Sequence, residues 1–255
     1  MNPADARAII SGGASGLGLA AAKAIIEAGG QAVLLDVHQA QAAAAVAELG
    51  ARASCVCADV TRESEVEAAV AQARERMGAV NVAVNCAGIG SAARLVGRQG
   101  PMSAEFFRRV IEVNLVGTLL VCRSAAVAMQ RNEPGPDGER GVIVMTASVS
   151  AFEGQIGQIA YSASKGGIVS MTLPMARELA SSGIRVISIA PGVFLTPMLA
   201  SMSSEVQASL GQQVPFPPRL GQPQEYAALV LQILENRMFN GTTIRLDGAM
   251  RMQAR

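Results

Sequence analysis

With 255 residues, half of them hydrophobic, the chain can bury roughly 70–75% of the surface its unfolded form exposes. Aromatic residues make up only 3% and Trp is absent, so the core has to be assembled from Ala, Val, Ile, Leu and Met, a composition suited to helices packed on a parallel sheet. A formal net charge of +1, without a long block of like charge, argues against nucleic acid or an anionic membrane surface as partner and leaves a small molecule.

The opening "MNPADARAII" lacks a basic region followed by a long apolar run, and no uninterrupted apolar segment reaches the ~20 residues that span a bilayer. The expectation is a cytoplasmic protein without membrane attachment. Cys55, Cys57, Cys86 and Cys122 include no C-x-x-C pair and read as small hydrophobes in a reduced compartment. His38 is the single histidine, which excludes a multi-His metal site. In chain order, "RAIIS" (7–11) is the first predicted strand and runs straight into "SGGASGLGLAAAKAIIEAGG". Gly12, Gly16 and Gly18 there permit a tight turn and a close backbone approach to pyrophosphate, while the following helix offers N–H donors and a favourable dipole. The second strand, "QAVLLD", ends in Asp36. A carboxylate about 20 residues past the glycines can accept hydrogen bonds from ribose hydroxyls and repels a 2′-phosphate, so NAD is expected over NADP, with Arg7 and His38 able to alter the local charge. A solvated strand-end aspartate is the competing explanation.

"ASCVCA" and "VNVAVN" follow as the third and fourth strands, then a loop, "IGSAARLVGRQGPMSAEF", and the helical "IEVNL" containing Asn114. "NEPGPDGER" (132–140) is a polar loop before the fifth strand, "GVIVMTAS", which ends at Ser148. On the next helix Tyr161 and Lys165 stand four apart in "YSASK", so phenol and ammonium share one face. "IRVISIAP" and "TTIRLDG" complete seven strands, and the proline-bounded segment around 194–220 reads as an amphipathic substrate lid. Strands alternating with helices imply a single α/β domain over 1–255: a Rossmann-type, doubly wound parallel sheet of about seven strands, helices on both faces, and a ligand crevice outside the strands' carboxyl ends. A serine hydrolase lacks both a suitably placed His and a G-x-S-x-G elbow. A Ser–Lys dyad stays open but leaves Tyr161, Asp36 and the glycines unexplained. A nonenzymatic NAD-binding scaffold would have little use for Ser148, Tyr161 and Lys165 together.

The ordered set "SGGASGLG", "CADV", "NCAG", "IEVNL", "TAS", "YSASK" and "IAPG" resembles the short-chain dehydrogenase/reductase family across almost the whole chain. The resemblance implies that Tyr161 moves a proton at the substrate oxygen, and that Lys165 stabilises the phenolate and holds the nicotinamide ribose. It further implies that Ser148 orients the substrate oxygen and Asn114 holds a water linking Lys165 to solvent; a buried, helix-bending Asn is the alternative for that position. It adds Ser11, Ser15, Leu17, Asp59, Val60, Asn85, Ala87, Gly88, Pro191, Gly192, Val193 and Thr196 to the expected NAD contacts, with Asp59 at the adenine amino group, and gives Cys86 no reactive role. Residues 132–199 and the ending "NGTTIRLDGAMRMQ" resemble the 3-hydroxyacyl-CoA dehydrogenases of that family. That implies reversible oxidation of an (S)-3-hydroxyacyl-CoA, or alternatively of a hydroxysteroid or other secondary alcohol, with Gln155 and Gln158 facing the substrate. A homotetramer is expected from the resemblance and from the Ala-rich, low-charge helix around Tyr161.

Overall fold

Runs of β-branched and apolar residues, each four to eight long, form β1 (Arg7–Ser11), β2 (Gln31–Asp36), β3 (Ala53–Cys57), β4 (Val82–Asn85), β7 (Gly141–Thr146), β8 (Ile184–Pro191) and β9 (Thr243–Leu246). All pair in parallel, in the order β3-β2-β1-β4-β7-β8-β9. The structure is a computed structural model and describes residues 1–90, 92–98, 100–200 and 203–254. Between the strands lie α1 (Gly16–Glu27), α2 (Gln39–Leu49), α3 (Glu63–Met77), α4 (Ala104–Ile111), α5 (Gly117–Met129), α6 (Ile159–Leu179), α7 (Pro197–Ala200), α8 (Ser204–Gln212) and α9 (Pro223–Glu235). The seven expected strands are therefore present. An antiparallel hairpin of β5 (Val96–Gly97) and β6 (Gly100–Pro101) is an addition, too short to leave a periodic signal in the sequence.

Successive side chains of a strand point to opposite faces, so a sheet covered on both sides needs two cores. Ile9, Ile143 and Met145 join the core beneath α3, α5 and α6, whereas Ala8, Ile10, Val142 and Val144 join the core beneath α1 and α9. Parallel strands start at one edge of the sheet and end at the other. Register places Ser11 beside Leu35 and Asn85, and Asn85 beside Met145, so the loops after β1, β2, β4, β7 and β8 converge at one edge. Chain direction in the winding reverses between β1 and β4, which opens the crevice there. Arg7 begins β1 at the opposite edge, so it does not bear on the charge around Asp36.

α4 and α5 run on through a π-helical turn, Glu112–Val116. Together they make one helix, Ala104–Met129, of 26 residues, long and apolar enough by composition to cross a membrane. Its apolar residues are spent on the protein core instead, with Val110, Val113, Leu120, Val121, Ala125 and Met129 all buried. The expected lid around 194–220 consists of α7, α8 and the turn through Phe216, apart from residues 201 and 202, which lie outside the described residues. Its far end is pinned by Arg219, whose two guanidinium nitrogens donate to Glu225 of α9 at 2.9 and 2.8 Å.

Candidate active site

The glycine turn is shaped by backbone approaches that no side chain would allow. Gly12 has φ +64°, and a β-carbon there would stand 2.7 Å from the amide nitrogen of Ala87. At Gly18 it would collide with the carbonyl oxygen of Gly12. α1 can therefore start flush against the end of β1, with Ser15 as its N-cap residue and no side-chain cap on its first amides. Uncapped N–H groups over a glycine-rich turn make a cradle for an anionic group. Asp36 borders it: one carboxylate oxygen accepts from the Ala14 amide at 3.2 Å and the other from the His38 amide at 3.0 Å. On the far side, Thr196 and Pro197 come within 4 Å of where a Gly16 side chain would begin.

Other expected cofactor residues divide into those facing this crevice and those turned away. Ser11 is buried and its hydroxyl accepts from the Ala87 amide at 3.4 Å, so it braces the turn from below. Leu17 is half-buried and packs on the α1 and α9 core. Gly88 is exposed, and its α-carbon faces the Asn114 amide and the Lys165 ammonium. Pro191 ends β8 and Gly192 and Val193 follow it at the same edge, with the Val193 carbonyl accepting from the Gly221 amide. Asn85 instead points into the core, donating to Cys122 Sγ at 3.4 Å and the Val144 carbonyl at 3.5 Å, so it holds the sheet rather than the crevice. Val60 is buried against Gly117. One Asp59 oxygen accepts from the Thr61 amide and hydroxyl, which hold its carboxyl below the usual carboxylate range.

Four elements bring the chemistry together. Ser148 follows β7 and caps a 3-10 turn, its hydroxyl accepting from the Ser150 amide at 3.1 Å. Tyr161 and Lys165 occupy the first turns of α6, with the ammonium 5.8 Å from the phenol ring centre. The Ser148 hydroxyl lies on the phenol side of the site, where it favours the ionised form of Tyr161. Lys165, only 5% exposed, donates to the Thr146 carbonyl at 2.7 Å. Asn114 sits inside the π turn, fully buried, and its amide accepts from Ile89 N–H at 2.8 Å while donating to the Ile89 carbonyl at 3.0 Å and Ser164 Oγ at 3.1 Å. Asn114 thus lies where its helix departs from α geometry and ties α4–α5 to the loop at Ile89.

The electrostatics differ from the sequence-based expectation in one respect. Burial raises the Tyr161 phenol above its ordinary value, and the Ser148 hydrogen bond only partly offsets it. Burial also lowers Lys165 to about 8. Without a ligand, desolvation of the charged forms outweighs the attraction between them, so the phenol is a neutral acid at neutral pH.

Two groups, Tyr226 and Thr146, went unread in the sequence. Tyr226, the second tyrosine, is fully buried on α9; its hydroxyl pairs with Thr146 Oγ1 at 2.8 Å and lies 3.5 Å from Cys86 Sγ, which is also 3.5 Å from Thr146. Thr146 joins that network to the lysine through its carbonyl. Nothing in the α9 sequence separates Tyr226 from an ordinary core residue. Gln155 and Gln158, expected to face the substrate, are committed to bonds within the protein: Gln158 Oε1 accepts from Ser150 Oγ at 3.0 Å and the Gln155 amide at 3.1 Å, and Gln155 Nε2 donates to the Gln253 carbonyl at 3.0 Å.

Residues 6–207 match the family model described as short chain dehydrogenase. The chain is 54% identical over 248 residues to the Bos taurus 3-hydroxyacyl-CoA dehydrogenase type-2, covering 96% of this chain and 95% of that one. It is 31% identical over 250 residues to the ipsdienol dehydrogenase of Ips pini, covering 97% of each. The crystal structure of 3-hydroxyacyl-CoA dehydrogenase type-2 from Mycobacterium avium superposes with a TM-score of 0.92 at 41% identity, covering 97% of this chain and 96% of that one. A doubly wound sheet, a glycine cradle at its crossover and agreement over nearly the full length lead to one conclusion: the chain belongs to the short-chain dehydrogenase family and is an oxidoreductase.

Proposed function

We propose that this oxidoreductase is an NAD-dependent 3-hydroxyacyl-CoA dehydrogenase, converting an (S)-3-hydroxyacyl-CoA reversibly to the 3-oxoacyl-CoA. The observation that carries the reading is the convergence of Ser148, Tyr161 and Lys165 beside a backbone cradle with a carboxylate at its rim. The cradle fits a dinucleotide, because glycine at 12 and 18 lets the turn close against Ala87 and against itself so that the uncapped first amides of α1 stand open to a pyrophosphate, and Asp36 suits ribose hydroxyls and opposes a 2′-phosphate. NAD, when bound, supplies the hydride acceptor. Ser148 Oγ has one lone pair engaged by the Ser150 amide, which leaves its hydrogen to be donated, towards the phenol in the ligand-free protein and to a substrate oxygen when one is bound. In reduction the Tyr161 phenol gives its proton to the substrate oxygen; in oxidation the phenol first loses that proton to solvent, and the phenolate then accepts the substrate's hydroxyl proton. Lys165, held by Thr146, keeps positive charge beside the phenol and donates to the ribose. Asn114 keeps the loop at Ile89 in place over it.

The name shared by the Bos taurus and Mycobacterium avium proteins supports the acyl-CoA substrate. So does the β5–β6 hairpin, which carries exposed Arg94 and Arg98, neither with a salt bridge among the described residues. Ala93 ties the hairpin to the active-site loop by donating to the Gly157 carbonyl at 2.8 Å, and guanidinium groups there suit the phosphates of CoA. In the lid, Phe216 is 80% exposed and offers an apolar surface to an acyl chain. Another secondary alcohol is the second reading, favoured by the 31% match to a protein named ipsdienol dehydrogenase. Leu119 and Val127 on α5 and Leu173 on α6 are exposed apolar residues suited to a twofold helix interface, so the working assembly is a homotetramer. Four free thiols fit a reducing cytoplasm. A panel of 3-hydroxyacyl-CoA esters, hydroxysteroids and simple secondary alcohols, assayed with NAD and NADP by nicotinamide absorbance, tests the proposal. Higher kcat/KM for any non-CoA alcohol than for every acyl-CoA ester refutes the substrate assignment.

A further inference from the structure

The final residues of the chain return to the active site. From Met250 to Ala254 they lie along the loop between Ser148 and α6, joined to it at successive positions. Arg245 of β9 holds both ends of this contact: it makes a two-pronged pair with Glu153 at 2.7 and 2.9 Å, donates to the Met250 carbonyl at 3.0 Å, and stacks 5.2 Å from the Phe152 ring centre. Glu153 is also reached by Arg251 at 3.4 Å and lies beside the Met252 amide, which helps to hold its carboxyl below the usual range. Gln155 Nε2 donates to the Gln253 carbonyl at 3.0 Å, and the Ile156 amide donates to the Ala254 carbonyl at 3.0 Å.

Inside the loop the same bonds continue towards Ser148. The Gln155 amide and the Ser150 hydroxyl both donate to Gln158 Oε1, and the Ser150 amide donates to Ser148 Oγ. We infer that the 250–254 strap is a positioning element of the active site, acting through Gln155, Gln158 and Ser150 to fix the direction of the Ser148 hydroxyl hydrogen. A hydroxyl has one hydrogen and rotates to suit its partners, so the N–H that occupies its lone pair decides where that hydrogen points. Gln155 is on this account a positioning residue, its amide turned to the strap and away from substrate.

The inference rests on the oxidoreductase reading but not on the acyl-CoA assignment, and it is tested on whichever alcohol the wild-type enzyme oxidises with NAD. An enzyme that rejects acyl-CoA esters therefore removes the substrate proposal and leaves the strap testable. Four variants form the experiment: removal of residues 252–255, Gln155→Ala, the two combined, and Gln253→Ala. For each, kcat, KM, the NAD dissociation constant and the melting temperature are measured. Truncation is expected to lower kcat by about ten- to a hundredfold, as misplaced reacting groups do, with NAD affinity within about twofold of wild type. Gln253→Ala keeps its carbonyl and is expected to behave as wild type. The combined variant should be no slower than the truncation alone, because Gln155 then has no strap left to transmit. Full kcat in the truncated enzyme overturns the inference, as does a combined loss equal to the product of the single losses, which means that Gln155 acts on substrate directly. If the truncation does not fold, Glu153→Gln replaces it in the same cycle, since it weakens the Arg251 and Met252 contacts without changing volume, and the same two outcomes decide.

Discussion

Lys165 can be replaced by Met to isolate what its burial does to the protein. The ammonium is almost fully enclosed, donates to the Thr146 carbonyl, and has no carboxylate paired with it among the described residues. Its pKa falls from 10.5 to about 8 on folding. A Lys with a lowered folded pKa binds fewer protons folded than unfolded between those values, so its contribution to stability rises with pH through that window and is most unfavourable below it. At pH 7 both states are protonated and the whole shift counts against folding, about 3 kcal/mol. At pH 9.5 the folded amine is neutral while most unfolded chains remain charged, and the penalty shrinks to about 1 kcal/mol. Lys165→Met keeps the side chain's length and removes the charge, so the variant's stability relative to wild type should drop by about 2 kcal/mol between pH 7 and pH 9.5. For a chain of this size that is a change of roughly 4–8 °C in the difference of melting temperatures. Calorimetry on cofactor-free protein at the two pH values measures it, in a Cys86→Ala background because the thiol and Lys165 influence each other's titration, and taking the difference cancels groups that titrate alike in both proteins. A difference independent of pH refutes the argument, because the lysine would then not be losing its proton in the folded state.

Tyr161→Phe keeps the ring and removes the transferable proton, so turnover should fall by about 10²–10⁴-fold while NAD binding persists, as single-turnover and equilibrium titrations would measure. Asp36→Asn should narrow the preference for NAD over NADP, and a wild-type enzyme that uses NADP as efficiently as NAD rejects the proposed role of this carboxylate. Tyr226→Phe strips the Thr146 hydroxyl of its buried partner, with an expected loss of about 1–3 kcal/mol in urea unfolding; an unchanged midpoint argues against the network. Light scattering at working concentration should give four times the chain mass, and a monomer there excludes the tetramer.

The seven strands were legible because each is a short β-branched or apolar run bounded by turn residues, and the 3.6-residue pattern between them marks helices. Tyr161 and Lys165 were legible for the same local reason, since a separation of four on one helix brings them together in any fold. The glycine turn carried its meaning in the sequence because only glycine tolerates the Gly12 geometry and the approach of Gly18 to Gly12. Long-range packing decided the rest. It set Ser148 against the Tyr161 phenol, bent the helix at Asn114 into a π turn, brought Tyr226 from α9 beneath Thr146, and folded the 250–254 strap onto the loop of Gln155 and Gln158. The phenol's pKa belongs to that second group as well: the sequence names its neighbours, but whether their charge or the loss of water prevails depends on how completely the tertiary structure excludes solvent.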